Sequence, residues 1–160
     1  MSWSRNTYRI EGDIVYCKTT KGEPFSISRK DIAYISMYTF SINKRGYLNA
    51  RIDKKLRLLH RLVMRVPPHV IVDHINGDKM NNQRDNLRKA SFAENMYNLG
   101  VRKGSKSGYK GVTQKGEKWL ARIQYKKKQY TIGTYDTKEE ARDAYNARAV
   151  ELFGDFARRE

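Results

Sequence analysis

Residues 70–95 constrain the fold more than any other stretch of the chain. Val70-Ile71-Val72 is a short, β-branched, apolar run that reads as a buried strand. A polar turn region follows, His74-Ile75-Asn76-Gly77-Asp78-Lys79-Met80-Asn81-Asn82-Gln83-Arg84-Asp85, and then a second short strand, Asn86-Leu87-Arg88-Lys89. Ser91-Phe92-Ala93-Glu94 has capping-box spacing: the serine hydroxyl accepts from the backbone N–H three residues on, and the glutamate reaches back. A helix is therefore predicted from Phe92, with Asn95 in its first turns. The chain has a single cysteine, Cys17, which excludes an internal disulfide and any cysteine-based zinc scaffold. This strand–turn–strand–helix unit must then be held by packing against what precedes it.

The polar residues of the unit suit one kind of chemistry. Hydrolysis of a phosphodiester needs a water deprotonated near neutral pH, the task for which histidine is best tuned. It also needs charge on the leaving oxygen neutralised, which a hard divalent cation on oxygen ligands does. Asp73 adjoins His74 at a strand end, and Asn95 brings an amide oxygen on the following helix. By itself an Asp-His pair is usually structural; the two asparagines in register raise it above that.

With that spacing, residues 60–98 resemble the HNH nucleases, and most closely the variant in bacteriophage homing endonucleases whose final His is replaced by Asn. His74 matches the family's first His, Asn86 its middle Asn and Asn95 its last position. The second Asn and the Arg of Asp78-Lys79-Met80-Asn81-Asn82-Gln83-Arg84 also fall where the pattern has them. The resemblance implies that His74 is the general base and that Asp73 and Asn95 are metal ligands. It gives Asn86 hydrogen bonds that brace the loop and orient His74. It also implies one divalent cation, Mg2+ with Mn2+ as a substitute, and no structural zinc. Arg84 and Arg88 are expected at DNA backbone oxygens, with solvated charge as the plain alternative. His60, in Leu59-His60-Arg61-Leu62-Val63, is expected to pack beneath the site, and His69, after Pro67-Pro68, to be solvated.

Other regions differ in texture. Residues 1–55 carry short β-prone runs, at Ile14-Val15-Tyr16, Ile32-Ala33-Tyr34-Ile35 and 46–52, and form an expected β-rich platform without legible chemistry. Leu56, Leu59, His60, Val63 and Met64 recur at helical spacing until Pro67-Pro68. Residues 56–99 thus make the expected nuclease core, and 100–108 a flexible basic linker. In residues 109–160, three strands (109–114, 118–125, 129–135) precede a second capping box, Thr137-Lys138-Glu139-Glu140, and a helix expected to end at Gly154. One strand face is expected to pack on Ala141, Ala144, Tyr145 and Leu152, leaving Arg122 and Gln124 outward. The expected fold class is α+β: platform, ββα-metal core and a three-stranded antiparallel sheet packed on one helix.

Between Arg102 and Tyr135 stand ten Lys or Arg against one acid, Glu117. The pattern Ser107-Gly108-Tyr109-Lys110-Gly111-Val112, then Trp119, Ala121 and Ile123, then Ile132-Gly133-Thr134-Tyr135 through Ala144-Tyr145 resembles the plant ethylene-response-factor (Apetala-type) DNA-binding domain. The resemblance implies DNA contacts at Lys110, Thr113, Lys115, Arg122, Gln124, Gln129 and Thr131, through a sheet lying in the major groove. Several of these are Arg or Trp in the plant domains, so the target sequence does not carry over.

Charge points to the same partner. Thirty-three Lys and Arg against 17 Asp and Glu give a formal +16. That self-repulsion is costly unless a polyanion relieves it. A ribosomal or membrane-surface basic protein has a similar balance. No stretch approaches the roughly 18 apolar residues of a bilayer span, and residues 1–5 lack the apolar run of a secretory leader. The expected setting is cytoplasmic, the host cytoplasm if phage-encoded. The expected protein is a monomeric endonuclease of double-stranded DNA with no membrane or small-molecule partner. A non-catalytic DNA-binding regulator with a decayed HNH unit is the alternative, and an RNA-binding basic protein a third reading.

Overall fold

The structure, a computed structural model, describes residues 6–158. Residues 1–5, which open the expected platform and carry the missing-leader reading, and 159–160, which close the expected DNA-binding module, lie outside the described residues. The architecture is mixed α+β, with several small sheets and few helices. Contacts divide the chain into two compact units, Met1–Ala90 and Ser91–Glu160.

In the first unit, β1 (Thr7–Glu11), β2 (Ile14–Lys18) and β3 (Pro24–Ser28) form an antiparallel meander. A 3-10 turn (Arg29–Asp31) leads into α1 (Ile32–Ile35), where the β-prone run predicts a strand. Three-residue spacing puts Ile32 and Ile35 on one side, with Ile35 fully buried and Ala33 and Tyr34 outward, so burial overrides local β preference. A second sheet follows: β4 (Ser41–Ile42), β5 (Leu48–Ile52) and β6 (Lys55–Leu58), antiparallel throughout. Asp53 and Lys54 turn this last hairpin with φ of 49° and 62°, the left-handed pair that matches strand twist. Leu56 is therefore a strand residue, 65% exposed, and not the first residue of the helical pattern. The helix, α2 (Leu59–Met64), buries Leu59, His60 and Val63 and stops at Arg65 in the left-handed region, just before Pro67-Pro68.

The hairpin of the candidate site comes next. β7 (Ile71–His74) pairs antiparallel with β9 (Leu87–Ala90), while β8 (Asn81–Asn82), in the loop between them, adds to the first sheet parallel to β3. One core serves all of this: Val15, Ile27 and Phe40 from the N-terminal residues pack in the same cluster as Leu59, Val72 and Leu87. Each fully buried side chain there contributes about 1.5–3 kcal/mol of transfer free energy. The hairpin is thus built on a core that residues 1–55 supply in large part.

The second unit opens with α3 (Phe92–Tyr97), whose capping box is formed on both sides by Ser91 and Glu94. β10 (Val112–Lys115), β11 (Lys118–Tyr125) and β12 (Lys128–Tyr135) make an antiparallel meander, and α4 (Lys138–Phe153) begins at the Thr137–Glu140 capping box and ends at Gly154. Along α4 the buried residues are Ala141, Tyr145, Ala149 and Phe153, one every four positions, with Ala144 and Leu152 half-buried beside that stripe. Phe153 stacks on Tyr97 of α3 at 4.0 Å between centroids. The first of the three strands starts at Val112 and not at Tyr109, because Gly108 and Gly111 hold φ of 74° and 71°. Gly111 has a second reason to be glycine: a Cβ there would sit 2.2 Å from the Tyr145 ring and 2.4 Å from the Arg122 carbonyl oxygen. The basic segment before it ends tied down, with Ser107 buried and its hydroxyl donating to the Val112 carbonyl at 2.8 Å. Among the described residues no helix is long and apolar enough to cross a membrane.

Candidate active site

Strand register decides which side chains meet at the end of the β7–β9 hairpin. Asp73 lies opposite Arg88, and His74 opposite Leu87. Arg88 donates to Asp73 Oδ2 through Nε at 2.9 Å, and its Nη2 lies 2.8 Å from the same oxygen. Both are largely buried, 8% and 14% exposed at the side chain, where a charge-assisted pair is strong and an isolated charge costly.

His74 is buried among rings and amides. Its Nε2 lies 3.3 Å from Asn82 Oδ1, and its ring meets the His60 ring edge-on at 5.1 Å. Tyr47 packs near both imidazoles, at 5.3 Å from His60 and 6.2 Å from His74. Lys79 places its ammonium 4.2 Å over the Tyr47 ring and donates to the Arg45 carbonyl at 2.8 Å. Burial lowers the His74 pKa below the ordinary histidine value, offset in part by the Asn82 hydrogen bond and the nearby Asp73 and Asp78. Burial also pushes His60 down to about 3, with His74 and Arg61 adding to it. Near neutral pH both imidazoles are uncharged, the state in which a histidine can accept a proton.

The loop from β7 to β9 is fixed by its own amides. Asn86 Oδ1 accepts from the Asn76 N–H at 3.1 Å, while its Nδ2 donates to Asn76 Oδ1 at 2.9 Å and to the Asn81 carbonyl at 2.8 Å. Asn76 and Asp78 side chains in turn accept from the N–H groups two residues on. Asn86 therefore ties the two ends of the loop together; the amide that touches the His74 ring is Asn82.

Arginine positions carry partners of their own. Arg84 Nε and Nη2 hold Asp31 at 2.9 and 2.7 Å, and the Arg84 N–H donates to Ser28 Oγ at 2.9 Å. Arg84 and Arg88 are thus both engaged by buried acids. Lys110 Nζ donates to the Tyr97 carbonyl at 2.7 Å and also to that of Leu99, closing the end of α3. Asn95 is half-buried on α3, in the second unit.

The remaining candidates lie on the second unit's sheet. Thr113 and Lys115 are exposed on β10. Arg122 pairs across strands with Thr131, and Gln124 with Gln129, all four exposed, so they form one continuous polar patch beside the Lys126-Lys127-Lys128 turn. Leu120, on the same strand phase as Arg122, is buried, so the outward polar face of β11 begins at Arg122.

Among the described residues no three His, Cys, Asp or Glu side chains come together as a metal cage. The donors at the hairpin are one buried carboxylate and a neutral imidazole next to it in sequence. That chemistry suits a hard cation that keeps several waters, with Asp73 as an oxygen ligand. Such an ion would share Asp73 with Arg88.

Residues 57–97 match the model of a family described as HNH endonuclease. An uncharacterized HNH endonuclease of Acanthamoeba polyphaga mimivirus is 33% identical over 130 residues, covering 77% of this chain and 67% of that protein. Protein 3.8 of Escherichia phage T7 is 35% identical over 95 residues, covering 58% of this chain and 78% of that protein. No solved structure matches the chain significantly.

Proposed function

The chain belongs to the HNH endonuclease family, and we propose that it hydrolyses a phosphodiester bond of double-stranded DNA with one divalent cation. The observation that carries this reading is the His74 environment: a buried imidazole directly after the hairpin's buried carboxylate, Asp73, at the start of a loop that Asn86 braces. In this reading His74 removes the proton from the attacking water. Asp73 binds the cation, and the resemblance to the family's final Asn gives Asn95 the second ligand role. Mg2+ is the proposed ion, with Mn2+ as a substitute; when bound it supplies Lewis-acid stabilisation of the charge that builds on the leaving oxygen. Arg88 holds Asp73 in place through Oδ2 and keeps its charge compensated.

The exposed patch of Arg122, Gln124, Gln129 and Thr131 is the proposed DNA-gripping face, joined by Thr113 and Lys115. Paired Arg and Gln side chains on a sheet are suited to base edges, and the lysine turn beside them to phosphates. The proposed setting is a phage or bacterial homing endonuclease acting as a monomer; the viral sources of both relatives support a viral origin. One active site per monomer favours nicking, since two strands of opposite polarity need two cuts.

Supercoiled plasmid incubated with the protein and Mg2+ or Mn2+ tests the reading. The expected result is relaxed circles with the wild type and none with His74→Ala or with EDTA. If the wild type shifts DNA on a gel but leaves every plasmid supercoiled, the chain is a DNA-binding protein and not a nuclease.

A further inference from the structure

Asn82 is 1% exposed, and its amide has one orientation that satisfies its surroundings. The Lys79 carbonyl oxygen, 3.0 Å from Nδ2, can only accept, so the NH2 end faces Lys79 and Oδ1 faces His74 Nε2. An acceptor facing Nε2 selects the neutral tautomer with hydrogen on Nε2 and the lone pair on Nδ1. The His60 and Tyr47 rings restrict rotation of the imidazole away from this arrangement.

Asn82 is in turn held from outside the hairpin. In the parallel pairing of β3 with β8, Ile27 lies opposite Asn82 and Ser26 opposite Asn81. The Ser26 N–H donates to the Met80 carbonyl at 3.0 Å. On the far side of Asn82, the Arg84 N–H is fixed by Ser28 Oγ and its guanidinium by Asp31, which is 5% exposed. Residues 80–84 are therefore clamped at both ends by β3 and the 3-10 turn after it.

We propose that Asn82 is a positioning residue that holds His74 in the Nε2–H tautomer, and that β3 and Asp31 act in the reaction by holding Asn82. The catalytic half of this rests on the nuclease reading above. It gives the N-terminal sheet a part in the chemistry that no residue of its own performs.

The test is long-range 1H–15N correlation of the histidine rings at neutral pH in the full-length, 15N-labelled protein, with His74→Ala for assignment. Wild type is expected to show His74 with a pyridine-type Nδ1 and a pyrrole-type Nε2. Asn82→Leu should mix the tautomers and slow cutting on the order of 10–100-fold, the usual effect of losing an outer hydrogen-bond partner, with DNA affinity unchanged. Asp31→Asn, which leaves Asn82 itself intact, should shift the same ring signals and slow cutting in the same direction. A wild-type His74 carrying its hydrogen on Nδ1 overturns the proposal even if neither variant folds. So does a folded Asn82→Leu protein with wild-type ring signals and rate. Wild-type protein with the expected ring signals that binds DNA but never cuts it refutes the nuclease reading instead.

Discussion

His60 shows how much a single buried imidazole can set at the residue scale. Its pKa is pushed down to about 3 by burial, whereas the unfolded chain titrates near 6.5. Between those values the unfolded state binds more protons than the folded one, so stability is full above about pH 6.5 and falls as pH drops. His60 alone contributes a slope of about 1.4 kcal/mol per pH unit through that window. His74, lowered for the same reason, adds in the same direction. Urea unfolding at pH 7 and pH 5 measures it, and His60→Gln should flatten the difference; an unchanged difference contradicts the account. Asn86→Ala removes three hydrogen bonds of the loop and should cost about 2–3 kcal/mol in the same measurement. Asp73, His74 and Asn86 are legible in sequence because chemistry-bearing side chains crowd into a short run between two strand patterns. Asn82 against His74, and Asp31 against Arg84, are not. The first reaches from a strand end across a turn region that has no period, and the second joins residues 53 apart, which no local pattern records.

Elements were legible where local chemistry closes on itself. Both capping boxes form where Ser91-x-x-Glu94 and Thr137-x-x-Glu140 place them, since each is complete within four residues. Two departures, α1 in place of a strand and β6 in place of a helix start, lie where core burial and a left-handed Asp53-Lys54 turn outweigh residue preference. Thr137→Ala should lower the stability of the second unit by about 1 kcal/mol, read from thermal unfolding. Gly111→Ala should cost more, about 2–3 kcal/mol, because it adds a left-handed strain to a clash with the Tyr145 ring. A Gly111→Ala protein as stable as wild type would mean that the sheet and α4 pack differently.

For the whole molecule, the basic excess suits a polyanionic partner, and the proposed gripping face lies in a segment that carries much of it. Ten Lys or Arg fall between Arg102 and Tyr135, and the exposed cross-strand pairs lie among them. Replacing Lys126, Lys127 and Lys128 with alanine should weaken DNA binding and reduce its dependence on log salt by about 0.9 for each lysine that neutralises a phosphate. Arg122→Ala with Gln124→Ala should instead relax the discrimination among DNA sequences. Unchanged affinity and salt slope in the lysine variant, together with unchanged sequence discrimination in the Arg122/Gln124 variant, would remove the sheet from the DNA-binding account. Tyr97 on Phe153 and Lys110 on the α3 carbonyls show why point variants serve better than truncation after residue 100, which strips α3 of its packing.

Single-turnover cleavage of end-labelled duplex DNA in Mg2+, comparing wild type with His74→Ala at matched DNA occupancy, tests the central claim most directly. The account predicts strand scission by the wild type and a loss of about 100-fold or more in the variant, with the same gel-shift affinity, the scale of a missing general base. Equal cleavage by both proteins would contradict it.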